Sequence, residues 1–266
     1  MRDQSAGSRK LLFAGERRWR ILRLRRPTRL PVRNPPGLLT EVRLAFPEYE
    51  KIVGLGQSGA AHAANLEVVE ESAATEEVAA LYAHFRVRFG RPEVPGILKC
   101  FATHPPLLRH MMDLSEHMLF ADGSLGRRHK EMIATLVSTE NECPYCADSH
   151  GFFFRVHGGN SMALAAIQEG DLSSTELTAA EQALLKFVRK VNLNSHKTEK
   201  RDVDALLRSG WSQLQIAEAV HIVALFAAFN RVANAFGLSS QGLLALYESD
   251  QLALRAADAG ADGAGL

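Results

Sequence analysis

The sequence predicts an all-α chain, a multi-helix bundle, on three observations. From Ser72 onward apolar residues recur three and four apart, the spacing that lines one face of a helix. Two helix starts are written as capping boxes, Thr178 with Glu181 and Ser212 with Gln215. Glycine and proline punctuate the apolar runs, and no convincing set of strands stands between them.

The elements follow in order. Thr75 is read as the cap of a helix through Val78, Leu81, Tyr82 and Phe85 that stops at Gly90, with Pro92 and Pro95 beyond it. A short helix is expected from Gly96 to Thr103. Pro105-Pro106 then opens a methionine-rich helix carrying Leu108, Met111, Met112, Leu114 and Met118, which ends near Asp122-Gly123. The next helix starts near Gly126 and turns Met132, Ile133, Leu136 and Val137 inward. After Glu140-Asn141-Glu142 comes Pro144, whose missing N–H suits a first helical turn; that helix runs through Phe152, Phe153, Phe154 and Val156 to Gly158-Gly159. Further helices are expected over Ser161 to Gln168, from Thr178 through Val188, from Thr198 to Gly210, and from Ser212 through Phe236 to a Gly237 stop. That makes a bundle of about eight or nine helices.

Composition divides the chain. Of 266 residues, 46% are hydrophobic, which is a globular level, and the net charge is only +1. Residues 1–33 nevertheless hold ten arginines, one lysine and two acids, so a basic head precedes an acidic body. The head breaks up at Pro27, Pro31, Pro35 and Pro36 and is read as a poorly ordered extension, with binding to nucleic acid or an anionic membrane as its alternative. Gly54-Leu55-Gly56-Gln57-Ser58-Gly59 matches a dinucleotide fingerprint, but the second parallel strand that such a site needs is missing, so a glycine-rich linker is preferred. The expected domains are thus a basic extension over 1–72, a helical domain over 73–247 and a flexible tail over 248–266.

The chemistry gathers in Glu142-Cys143-Pro144-Tyr145-Cys146-Ala147-Asp148-Ser149-His150. A thiol attacks as its thiolate, which is favoured near a helix N-terminus or beside a base. Cys146 has both in prospect, since Pro144 marks the first turn and His150 stands one turn on along the same face. Cys143, at or next to the cap, is placed to resolve a sulfenic acid on Cys146 by closing a disulfide.

Glu131 followed by Cys143, Cys146 and His150 resembles the E-x11-C-x-x-C-x3-H signature of alkylhydroperoxidase AhpD-like proteins of the carboxymuconolactone decarboxylase superfamily. Gly210-Trp211-Ser212 through Ile216, Glu218 and Val220 to Asn230-Arg231 is similar to that family's later helix. The resemblance covers Thr75 to Leu244. It implies an all-α, homo-oligomeric thiol peroxidase or disulfide reductase that acts on a hydroperoxide and is recycled by a dithiol reductant, a lipoyl-bearing or thioredoxin-like protein. Carried onto matching positions, it makes Cys146 the peroxidatic thiol and Cys143 the resolving thiol, with His150 and Glu131 as the proton relay. Some members have histidine where this chain has Tyr145. The superfamily's decarboxylase branch works without the cysteine pair, so the pair favours redox chemistry.

Alternatives remain beside this. The cysteines could belong to a redox sensor or interaction protein that does not turn over, or form half of a zinc site completed by His157 or Glu131. Haem attachment is set aside because Ala147 follows Cys146 where a histidine is required. No cofactor and no metal are expected. His157 is read as a helix C-terminal residue and His221 as a core histidine; Asn230 and Arg231 either line the site or tie helices together. Cys100 and the Met111, Met112 and Met118 stripe are read as core. Three cysteines, two in one motif, suit a reducing compartment and a cytoplasmic protein. No run of about eighteen apolar residues stands in the chain, which excludes a membrane span on length, and the longest apolar stretch, Ala219 to Phe229, is broken by His221 and assigned to a buried helix. The head lacks the uninterrupted apolar segment of a secretory signal.

Overall fold

The computed structural model describes residues 65–89, 93–249 and 251. The basic head, the Gly54 to Gly59 motif and the segment beyond 251 lie outside the described residues. Within them stand ten helices and no strand. We label these α1 (Glu76–Phe89), α2 (Gly96–Phe101), α3 (Pro105–Ser115), α4 (Arg127–Glu140), α5 (Pro144–Val156), α6 (Ser161–Glu169), α7 (Ala179–Asn194), α8 (Lys200–Arg208), α9 (Gln213–Phe236) and α10 (243–249).

Local sequence explains most boundaries. Both expected capping boxes form, at Thr178/Glu181 and Ser212/Gln215. Pro105 and Pro144 occupy first-turn positions, and the Thr75 hydroxyl reaches the Val78 N–H at 3.5 Å. Gly170 and Gly237 end α6 and α9 at φ 76° and 79°, a left-handed conformation that a Cβ would strain. Two boundaries differ from expectation. Glu199, not Thr198, caps α8, in a reciprocal pairing with Asp202. After Ser115, α3 continues as a π-helical turn, Glu116–Phe120, which periodicity does not announce.

The core is built around α4, in which every residue from Lys130 to Ser138 is buried. A helix buried all round must be enclosed, and α5, α6, α7 and α9 pack on it. Full burial of Met132, Ile133, Leu136 and Val137 contributes about 1.5–3 kcal/mol for each side chain. Lys130, buried with them, donates to the carbonyls of Met118 (3.2 Å) and Ala121 (3.0 Å) and pairs with Glu218 at 2.7 Å. It thereby ties the π-helical turn to α4 and α9. Trp211 donates from Nε1 to the Ala180 carbonyl (2.9 Å) and meets His129 edge-on with ring centroids 5.1 Å apart, joining the start of α9 to α7 and α4.

Residues 65–74 run along this body. The Asn65 N–H donates to the Phe236 carbonyl (2.9 Å) and the Val69 N–H to that of Lys99 (3.2 Å), while the Tyr82 hydroxyl donates to the Val69 carbonyl at 2.7 Å. At the other end Leu243 and Tyr247 of α10 cover Phe152 and Phe153. The 24-residue α9 is long and apolar enough by composition to cross a membrane, so length does not exclude a span as the sequence suggested. It packs instead on α4, α7 and α2, with 44% of its most apolar window buried. His221 lies on its exposed face, not in the core as expected, because α4 and α7 cover the opposite side.

Candidate active site

Glu131 is fully buried on α4 and faces His150 on α5, with His150 Nδ1 2.6 Å from Glu131 Oε2. Arg127, one turn back on α4, donates from Nε to Glu131 Oε1 at 2.6 Å. Burial alone would raise the Glu131 pKa; the Arg127 guanidinium and His150 outweigh it and hold the carboxyl at about 2. The Arg127 guanidinium stands 4.6 Å from the ring centroid of Phe120 and 5.9 Å from that of Phe153, a cation–π seat that fixes its other face. Phe226 from α9 meets the His150 ring edge-on, 4.4 Å between centroids. The imidazole is therefore held by a carboxylate on one side and a ring on the other.

The cysteines lie at the start of the same helix. Cys143 is the N-cap residue of α5, in extended backbone, with its N–H donating to the Ser138 carbonyl (2.9 Å) and its carbonyl accepting from Ala147 (2.9 Å). Cys146 sits in the first turn. Both sulfurs are reduced and buried, with Cys143 1% and Cys146 4% exposed, against Tyr145, Ala233, Ile97 and Leu238. Cys100, on α2, is a third buried thiol, pushed up to about 12 by burial.

The two thiols share one hydrogen bond, which shifts their acidities in opposite directions. The Cys143 thiol is lowered, by hydrogen bonding from the Cys146 thiol against burial, aided by the Cys146 peptide N–H and the Asn230 amide. Cys146 is raised, by the same bond to Cys143 and by burial. The shared hydrogen bond dominates both shifts, and Cys143, at the cap of α5, also has the Cys146 peptide N–H to favour its anion.

An apolar cavity of about 120 Å³ adjoins the site, lined by His150, Tyr145, Ser149, Phe226, Phe229 and Phe153 among others. The sulfurs do not line it. Tyr145 does, and it also packs on the cysteines; its hydroxyl accepts from the Ile97 N–H at 3.4 Å. Of the four residues expected at the site, Glu131 and His150 are thus in contact, and Cys143 and Cys146 form the adjoining pair. The sequence did not single out Arg127, although its place four residues before Glu131 is a readable helix ion pair. Phe226 carried no such signal. His157 lies at the C-terminal end of α5 as expected, and Cys100 in the core. Among the described residues no group of three His, Cys, Asp or Glu side chains is arranged to hold a metal.

The all-α bundle has the AhpD-like fold. Solved structures agree. The AhpD core of an uncharacterised peroxidase-related protein from Ralstonia eutropha JMP134 superposes with a TM-score of 0.62 at 24% identity, covering 70% of this chain and 96% of that one. A peroxidase-related protein from Silicibacter sp. TM1040 gives 0.59 at 23%, covering 68% and 93%. The debrominase Bmp8 gives 0.54 at 18%, covering 71% and 99%. At these identities the likeness is one of fold. The family model described as PA26 p53-induced protein (sestrin) matches residues 60–250, and the chain belongs to that family. It is 21% identical to Sestrin-1 of Xenopus laevis over 183 residues, which is 68% of this chain but 36% of that protein, so it spans about a third of its curated relative.

Proposed function

We propose that the chain is a two-cysteine, thiol-dependent peroxidase or disulfide reductase. The observation that carries this is the placement of Cys143 at the cap of α5, beside Cys146 and ahead of the His150–Glu131 pair. The Cys143 thiolate attacks the distal oxygen of a hydroperoxide. The O–O bond breaks, Cys143 becomes a sulfenic acid, and the leaving alkoxide receives the proton that the Cys143 thiol gave up, held meanwhile on the ring nitrogen of His150 not engaged with Glu131. Cys146 then attacks the Cys143 sulfur. The S–S bond forms, and hydroxide leaves with the Cys146 proton as water. The dithiol has supplied two electrons, and an external dithiol, lipoyl-bearing or thioredoxin-like, returns them. This assigns attack to Cys143 and resolution to Cys146, the exchange of roles that the acidity order favours.

The phenylalanine-lined cavity suits the compact apolar group of an organic hydroperoxide. Three cysteines with two in one motif fit a cytoplasmic enzyme, and the fold a homo-oligomer. The test is consumption of cumene hydroperoxide with an added dithiol donor. Wild type should turn over many times and Cys143→Ser and Cys146→Ser should not; equal consumption by all three would sink the proposal. Burial of both sulfurs favours one second reading, a redox-responsive pair that changes state without turnover. A single oxidation per chain, with no further peroxide consumed in the presence of the donor, would favour it.

A further inference from the structure

α9 turns three residues, Asn230, Ala233 and Asn234, toward the cysteine helix. Ala233 packs directly on Cys143 and Cys146. Asn234 donates from Nδ2 to the carbonyls of Asn141 (3.1 Å) and Glu142 (3.3 Å), clamping the turn that delivers Cys143 to its cap position. Asn230 is fully buried, and both ends of its amide are committed. Its Oδ1 accepts from Asn141 Nδ2 at 3.0 Å, and its Nδ2 donates to Ser138 Oγ at 3.0 Å. Ser138 is the residue whose carbonyl accepts the Cys143 N–H. The orientation of the Asn230 amide is therefore fixed from two sides by groups that also fix the cysteine backbone.

A primary amide has two N–H groups, and Ser138 takes one. Leaving the other unpaired at full burial would cost about 1–3 kcal/mol. The sulfurs stand beside it, since Ala233, three residues on along the same face of α9, packs on both and Ser138 holds the Cys143 N–H; in keeping with this, Asn230 favours the thiolate form of Cys143 and of Cys146 alike.

We propose that Asn230 is a further residue of the redox site: its amide, aimed by Asn141 and Ser138, holds one N–H on the Cys143–Cys146 sulfurs and stabilises their reduced, thiolate form. The inference rests on the reading of the cysteines as a redox pair. A donor to a thiolate strengthens when the sulfur is charged and weakens when it is tied in a disulfide. Asn230 thus makes the pair both more acidic and more oxidising. The other titratable groups near the pair are Cys100 from α2, whose thiol stays protonated, and His150, with Glu131 behind it.

The experiment measures two properties in the full chain. The pH dependence of iodoacetamide alkylation at Cys143 gives its acidity, and equilibration against dithiothreitol mixtures gives the disulfide's stability. Asn230→Ala should slow alkylation at neutral pH about tenfold and favour the disulfide about tenfold, a fall in potential of about 30 mV. Asn230→Ser, which retains a donor, should recover part of both shifts. Should Asn230→Ala fail to fold, Asn141→Ala, which releases the amide's orientation, should move both in the same direction. If wild type closes a Cys143–Cys146 disulfide while the Asn230 and Asn141 variants titrate and equilibrate as it does, the inference is overturned. If wild type closes none under peroxide or oxidised dithiothreitol, the underlying reading has failed instead.

Discussion

His150 Nδ1 and Glu131 Oε2 lie 2.6 Å apart across the α4–α5 seam, and Arg127 closes the other side of the same carboxylate. A buried anion thus stands between two nitrogen donors, and the imidazole keeps one ring nitrogen committed to it. The arrangement fixes the histidine's orientation as well as its charge environment.

That relationship predicts an acid dependence. The folded pKa of Glu131, about 2, lies below its ordinary value of 4.5. Its contribution to stability is therefore complete above pH 4.5 and is lost as pH falls through 2. At neutral pH Glu131→Gln leaves Arg127 buried without its anion, a loss on the order of 3–5 kcal/mol. Urea midpoints of the two proteins should be far apart at neutral pH and converge on acidification. Coincident midpoints at neutral pH would refute the assignment.

The thiols should differ in reactivity. In reduced wild type treated with iodoacetamide at about pH 7.5, peptide mass mapping should find the first adduct on Cys143, then Cys146, with Cys100 last. First labelling at Cys146 would restore the roles expected from the sequence.

Lys130 and Glu218 form a buried pair that anchors the π-helical turn. Lys130→Met should cost about 3–5 kcal/mol by stranding Glu218 and two carbonyls. Lys130→Met with Glu218→Leu should recover part of this, limited by the Leu125 N–H that Glu218 now accepts at 2.8 Å. A chemical denaturation series measures both, and a double variant weaker than the single one would contradict the pairing.

The cavity of about 120 Å³ is similar to the apolar cavity of about 150 Å³ that takes benzene in another protein. Benzene should raise the thermal midpoint of wild type in a concentration-dependent way. Met112→Trp, which fills the cavity from its α3 wall, should abolish the rise. An equal rise in both would place the binding elsewhere.

Glu142 holds φ 50° in the turn before Cys143, the left-handed region that costs a residue with a Cβ about 1–2 kcal/mol. Glu142→Gly should be close to neutral, as relief of strain offsets the gain in chain entropy. The branched Glu142→Val should lose more than about 1 kcal/mol. Equal stabilities by calorimetry would show that the turn relaxes.

Much of the fold was legible because its signals are local. Thr178/Glu181, Ser212/Gln215, Pro144 and Gly237 act within one turn of themselves, and each does what its chemistry dictates. The π-helical turn at Glu116 depends on Lys130, a residue on the next helix, and so was not legible. His221 was misjudged because its apolar neighbours in sequence lie around the whole circumference of α9, and only tertiary packing decides which side is covered. At the site, the spacing of Glu131, Cys143, Cys146 and His150 carried the resemblance and Asn230 was named with it, whereas Phe226 arrives unannounced from a helix that begins some sixty residues further on.

Trp211 gives the molecule an optical reporter. The chain has two tryptophans, and Trp19 lies in the basic head, outside the described residues. Trp211 is buried, with its indole N–H on the Ala180 carbonyl and its ring against His129. In a chain lacking Trp19, the emission maximum would track the junction of α4, α7 and α9 alone, red-shifting as water reaches the indole. Followed by stopped-flow during oxidation, it would tell whether a change at the thiols is felt at the far end of the helix that carries Asn230.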